Sequence, residues 1–141
     1  MVLVDSSVWI EAGRRDGKLE VKVALEGLLE EYEALWCGLV KLEVLGSARS
    51  EERKRLDEFF ECIPYKPMPD EGWEFAKECA RRLRDKGLNI PATDILIASL
   101  VVTLQCRVYA VDQHFDLMAP VLGFQLYQPG YGGKFNPGTE A

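Results

Sequence analysis

Apolar and polar positions fall into two rhythms along the chain. Short runs that are apolar almost throughout, "MVLV", "ALWCG", "CIPY", "RVYAV" and "FQLYQ", have the length of strands buried on both faces. Longer segments with helical signals stand between them. "SSVWIEAG" reads as a helix begun by hydroxyl caps and stopped near Gly13. Over 18–34, Leu19, Val23, Leu28, Leu29 and Tyr32 recur at roughly helical spacing and predict an amphipathic helix. "LVKLEVLG" and "SEERKRLDEFFE" predict two more. "DEGWEFAKECARRLRDKG" has acids at its start, bases near its end and a closing glycine. "NIPATDILIASLVVTLQC" is a buried helix entered after Pro91, and "QHFDLMAP" a short one. Strands alternating with helices predict an α/β fold, a three-layer α/β/α domain around a central parallel sheet. No repeat or second domain is visible. The domain is expected over 1–127, with the Gly/Pro-rich "QPGYGGKFNPGTEA" at 128–141 as a flexible tail.

Composition narrows this little. With 141 residues, 48% hydrophobic and 28% charged, the chain can bury its own core without a disulfide or structural metal. The four cysteines, Cys37, Cys62, Cys79 and Cys106, have no zinc-site spacing and read as buried reduced thiols. "ILIASLVVTL" is too short to span a bilayer, and Asp5 interrupts the first apolar residues too early for a secretory leader, so a cytoplasmic location is expected. A net charge of −6 argues against broad nonspecific nucleic-acid binding. Local basic groups remain at Arg14 and Arg15, at Arg49 with Arg53, Lys54 and Arg55, and at Arg81 with Arg82 and Arg84. Each is more simply a solvated helix face.

Chemistry enters with the acids. Asp5 and Asp112 each follow an apolar strand directly, which in a parallel sheet puts both at the carboxyl edge, where such sheets bind ligands. The helix over 92–106 feeds the strand "RVYAV", so it runs antiparallel to it and returns Asp94 to the same edge. About 15 residues of helix span roughly 22 Å, against about 17 Å for five strand residues. Glu43 does not follow from spacing. In the largely apolar "LVKLEVLG" it lies either on a narrow exposed stripe with Lys41 or in a polar site. Each acid alone has a plainer reading: Asp94 as a helix first-turn acid, Asp5 and Asp112 as turn residues, Glu43 as a solvated helix residue. Their convergence is the argument for function.

Carboxylates about 4 Å apart repel by roughly 4 kcal/mol per pair at an effective dielectric near 20, so such a cluster needs protons or cations. Hard oxygen ligands favour Mg²⁺ or Mn²⁺ over zinc. A divalent ion can activate water and neutralise phosphate oxygens, so an acidic protein can cut RNA without a basic surface over the site. The chain has no phosphate-binding GxxxxGK[ST] loop or GxSxG elbow, and its only histidine is His114.

These residues resemble a family. "LVDSSVWIE" is similar to the opening of PIN-domain ribonucleases, particularly VapC-type toxins, and "KLEVLGSAR", "IPATDILIASL" and "VYAVDQHFDLMAP" resemble their later acidic segments, in order from Met1 to Pro120. The resemblance implies a metal site of Asp5, Glu43, Asp94 and Asp112, with Ser6, Ser7 and Thr93 as supporting polar residues. It implies an endoribonuclease acting on RNA, a homodimer and inhibition by a cognate antitoxin. Ala110 stands where the family often has Thr or Ser, and His114 where it has another Asp, which bears on a second metal. His114 reads as a surface residue or as a substitute ligand or proton carrier. Asp116 reads as a solvated or capping acid, and Trp9 and Trp73 as core or dimer aromatics rather than RNA-stacking platforms. A PIN nuclease of RNA processing and a non-catalytic PIN-like binding module are the rival functions.

Overall fold

Val2, Leu3 and Val4 have no solvent exposure at all, which is what an apolar run of three residues requires at the centre of a sheet. In the computed structural model, which describes residues 1–129, they form strand β1 (Val2–Val4). β1 is flanked by β2 (Ala34–Cys37) and β4 (Arg107–Tyr109), and the outer positions go to β3 (Tyr65–Lys66) and β5 (Gln125–Leu126). The order is β3-β2-β1-β4-β5, and every pairing is parallel: Leu3 opposite Leu35 and Val108, Trp36 opposite Tyr65, Val108 opposite Leu126. A parallel sheet needs both faces covered. Among the described residues the helices pack in two groups. One joins α1 (Ser6–Gly13), α2 (Leu19–Glu30), α4 (Arg53–Glu61) and the short α3 (Gly38–Val40) with its π-helical continuation (Lys41–Leu45). The other joins α5 (Gly72–Asp85), α6 (Ala92–Leu104) and α7 (His114–Leu122). This is the expected three-layer α/β/α arrangement.

α6 is apolar nearly all round, with Ile97, Ala98, Leu100 and Val101 buried, because it lies against the sheet and contacts both α5 and α7. No helix among the described residues is long and apolar enough to cross a membrane. α5 closes on Gly87 at φ +78°, with Leu88 N–H donating to Leu83 C=O at 3.0 Å, as its terminal glycine foretold.

Several expectations need correction. The buried stripe of α2 is Val21, Ala24, Leu25 and Leu28; Leu19 and Tyr32 are 73% and 85% exposed. The large residues at both ends pulled the expected stripe out of phase, and Tyr32, at φ +56°, already lies beyond the helix. β3 is Tyr65–Lys66, so only the last residue of "CIPY" enters the sheet. β4 ends at Tyr109, leaving Val111 47% exposed, so Asp112 does not follow the strand directly. α4 begins at Arg53, later than "SEERKRLDEFFE" suggested. Cys62 is exposed, unlike the buried Cys37 and Cys79, and all four cysteines are free. Of the expected tail, residues 130–141 lie outside the described residues.

Candidate functional site

β1 leads to β2 on one side and is paired with β4 on the other, so the strand order reverses between β1 and β4. Ligand crevices of open α/β sheets form at such a switch point. Asp5 leaves β1 there, and its backbone N–H donates to Tyr109 C=O at 2.9 Å, so the ends of β1 and β4 are joined. The Asp5 carboxylate is buried. It accepts Ser7 N–H at 3.0 Å and the Ser7 hydroxyl at 2.5 Å, and so caps α1. The hydroxyls were the expected caps. The tight turn from β1 into α1 hands that task to the residue before them and frees both serines. Ser7 Oγ accepts Val111 N–H at 3.2 Å, which fixes the chain after β4 and explains why β4 stops. Ser6 Oγ donates to Glu43 Oε1 at 3.0 Å.

Glu43 lies in the π-turn that follows α3. It is exposed, as the stripe reading had it, and also tied to the site through Ser6. The π-turn is the reason spacing could not place it, because a wider turn breaks the 3.6-residue period.

Asp94 occupies the first turn of α6, and Asp112 accepts His114 N–H at 2.9 Å at the start of α7. Between them stands the His114 ring. Its Nδ1 is 2.8 Å from Asp94 Oδ2 and 3.0 Å from Asp112 Oδ1. Asp94, Asp112 and His114 each offer a ligand atom, all within 4.8 Å of one another. Asp5 and Glu43 are outside that tight group, yet Asp5 feels the charges of Glu43 and Asp112, and Asp94 those of Asp112 and Asp5. Thr93 is exposed beside Asp94, and no hydrogen bond among the described residues joins its hydroxyl to the acids. Asp116 is exposed in the first turn of α7.

Three helix N-termini therefore meet at this edge, and their partial positive charge favours the carboxylates they carry. It does not cancel the cost of gathering them. Burial pushes Asp94 up to about 6, opposed by the His114 hydrogen bond and reinforced by Asp112 and Asp5. Burial also raises Asp5, against the lowering effect of Ser7. Hydrogen bonding to Asp94, with the nearby charges, raises His114. Without a cation the cluster thus holds protons, as a site of too many carboxylates must. The donors are carboxylate oxygens and one imidazole nitrogen, with no thiolate, a set that fits a hard divalent cation. Sequence reasoning left the bridging position of His114 open. The available signal was its place two residues after Asp112, the distance at which an aspartate side chain turns back onto the backbone.

No family model matches the sequence. Among curated proteins the chain is similar to "Ribonuclease VapC21" of Mycobacterium tuberculosis, 31% identical over 105 residues that cover 72% of this chain and 76% of that protein. Its fold is similar to that of "FitAB bound to IR36 DNA fragment", with a TM-score of 0.76 at 16% identity, covering 100% of this chain and 98% of that one. It is also similar to "VapBC2 from Rickettsia felis bound to a DNA fragment from their promoter", with a TM-score of 0.71 at 17% identity and coverage of 89% and 97%. The structure of FitAcB from Neisseria gonorrhoeae gives a TM-score of 0.71 at 18% identity, covering 92% and 98%.

Proposed function

The chain belongs to the VapC family of ribonucleases, and we propose that it is the toxin of a toxin–antitoxin pair, an Mg²⁺- or Mn²⁺-dependent endoribonuclease. Asp5, Glu43, Asp94 and Asp112 would hold the ion, with His114 beside them. The observation that carries this reading is the gathering of Asp94, Asp112 and His114 at the β1/β4 switch point, in electrostatic reach of Asp5. A divalent ion bound there would supply an activated water and neutralise phosphate oxygens during hydrolysis of the phosphodiester.

The chain's own residues do the rest. Ser7 holds the Asp5 carboxylate in one orientation, and Ser6 does the same for Glu43. His114 Nδ1 keeps Asp94 and Asp112 apart from one another by standing between them, and it can hold a proton there while the acids are unligated. His114, raised by its hydrogen bond to Asp94, can pass a proton to or from a phosphodiester oxygen.

The solved neighbours VapBC2 and FitAB support a protein partner. An antitoxin carrying an arginine fits an acidic site, because a guanidinium can bridge two carboxylates. A homodimer and a cytoplasmic location complete the reading. The test is RNA cleavage by the purified chain: none in chelator, activity restored by Mg²⁺ or Mn²⁺, and activity lost in Asp94→Asn and Asp112→Asn. Full activity in chelator overturns the metal, and an inert chain with either ion overturns the nuclease.

A further inference from the structure

The acids leave unexplained a cleft that opens beside them. It holds about 220 Å³ and is lined by Cys37, Leu39, Tyr65, Met68, Trp73 and Leu96, among others. Cys37 closes β2, lines the cleft and feels the charges of Asp5 and Glu43, so the cleft and the acids share the same sheet edge. Two glycines shape it. A Cβ on Gly38 would come to 3.2 Å from the Tyr65 hydroxyl, and one on Gly72 would collide with Met68 Sδ. Trp73 is 60% exposed, while Trp9 and Trp36 are 9% and 6% exposed, so Trp73 is not a core residue. Lys41 Nζ lies 4.5 Å from the Tyr65 ring centroid, a cation at the aromatic rim.

Resting on the nuclease reading, we infer that this cleft is a nucleobase subsite for single-stranded RNA crossing the acids, with Trp73 and Tyr65 as stacking faces and Lys41 as a phosphate contact. The outer surface of α5 extends the track. At about 100° per residue, Lys77, Arg81 and Arg84 fall within about 80° of Trp73 around the helix, whereas Glu74, Glu78 and Asp85 fall about 100–140° away. Arg82 points elsewhere, donating to Val121 C=O at 2.6 Å. Lys77 is held in an ion pair with Glu74, which leaves Arg81 and Arg84 as the cations that, with Trp73, run along about 16 Å of helix and match a strand of bases and phosphates.

The test titrates a short single-stranded RNA into the full chain in chelator at low salt. The RNA is expected to quench the exposed tryptophan, and an abasic oligomer of equal length is not. Trp73→Ala is expected to weaken RNA binding about 5- to 150-fold with unchanged circular dichroism. Arg81→Glu with Arg84→Glu is expected to weaken binding and flatten its salt dependence. In Mg²⁺, Trp73→Ala is expected to raise KM while kcat holds. Unchanged RNA affinity in Trp73→Ala overturns the subsite, whether the variant is otherwise silent, dissociates a dimer or loses a basic peptide instead. A wild-type chain that binds RNA through Trp73 but cuts nothing overturns the nuclease reading and leaves the subsite standing.

Discussion

Asp5 answers to two demands at once. As a cap it accepts Ser7 N–H, and as a member of the acidic site it is buried against the charges of Glu43 and Asp112. Asparagine caps a helix about as well as aspartate, whereas alanine forfeits about 1 kcal/mol. Asp5→Asn is therefore expected to melt at or above the wild-type temperature in chelator, and Asp5→Ala below it. On the proposed reading both lose RNA cleavage by orders of magnitude, because the ion would lose a charged ligand. Thermal melts beside a cleavage assay separate the two demands, and an Asp5→Asn variant that cuts normally would reduce Asp5 to a cap. At His114 the expected experiment is Asp94→Asn. The carboxylate that raises His114 is then gone, and the imidazole resonance followed by NMR is expected to titrate at lower pH than in the wild type.

At the scale of elements, the π-turn is the piece that brings Glu43 to Ser6. Gly46 N–H closes it by donating to Lys41 C=O at 3.0 Å, and a Cβ on Gly46 would collide with the Leu42 carbonyl oxygen. Because that neighbour is backbone and cannot swing aside, Gly46→Ala is expected to cost about 1–3 kcal/mol by urea unfolding. It is also expected to lower cleavage, through the Ser6–Glu43 hydrogen bond. Unchanged stability would show that the turn absorbs the methyl. The same turn marks the boundary of what the sequence could reveal. β1, α5 and α6 were legible, because an apolar run at the sheet centre, a capped amphipathic helix and an all-apolar helix each obey one strong local rule. Asp5, Asp94 and Asp112 were legible as edge residues because parallel topology converts chain position into space. Glu43 was not, because a π-turn has no periodic signature. β4 was read too long because Val111 looks like strand, and only the long-range bond from its N–H to Ser7 Oγ removes it from the ladder. For His114 spacing offered only its place two residues after Asp112; the seat of its ring against Asp94, which α6 brings from far along the chain, has no sequence signature.

For the whole molecule, the site makes stability depend on pH in opposite senses with and without an ion. In the chelated protein Asp94 titrates at about 6, against 3.8 for an ordinary aspartate, and Asp5 is also raised. Between those two values the folded chain keeps a proton on Asp94 that the unfolded chain has released. The folded state binds more protons there, so stability falls as pH rises from about 4 to about 6. His114 acts in the same direction at higher pH. Raised above 6.5 in the fold, it contributes stability fully below 6.5, and this is lost as pH climbs through its folded value. The chelated protein is therefore expected to melt progressively earlier from pH 5 to pH 8. A divalent ion binds only the deprotonated donors, so its stabilisation grows over the same interval. The rise in melting temperature on adding Mg²⁺ or Mn²⁺ is expected to be small at pH 5 and largest near pH 8. Asp94→Asn is expected to flatten both curves, since it removes the acid that holds the proton and one ligand of the ion together. A melting temperature in chelator that rises from pH 5 to pH 8 would mean that these acids are not crowded in solution, and the electrostatic basis of the metal site would fail with it.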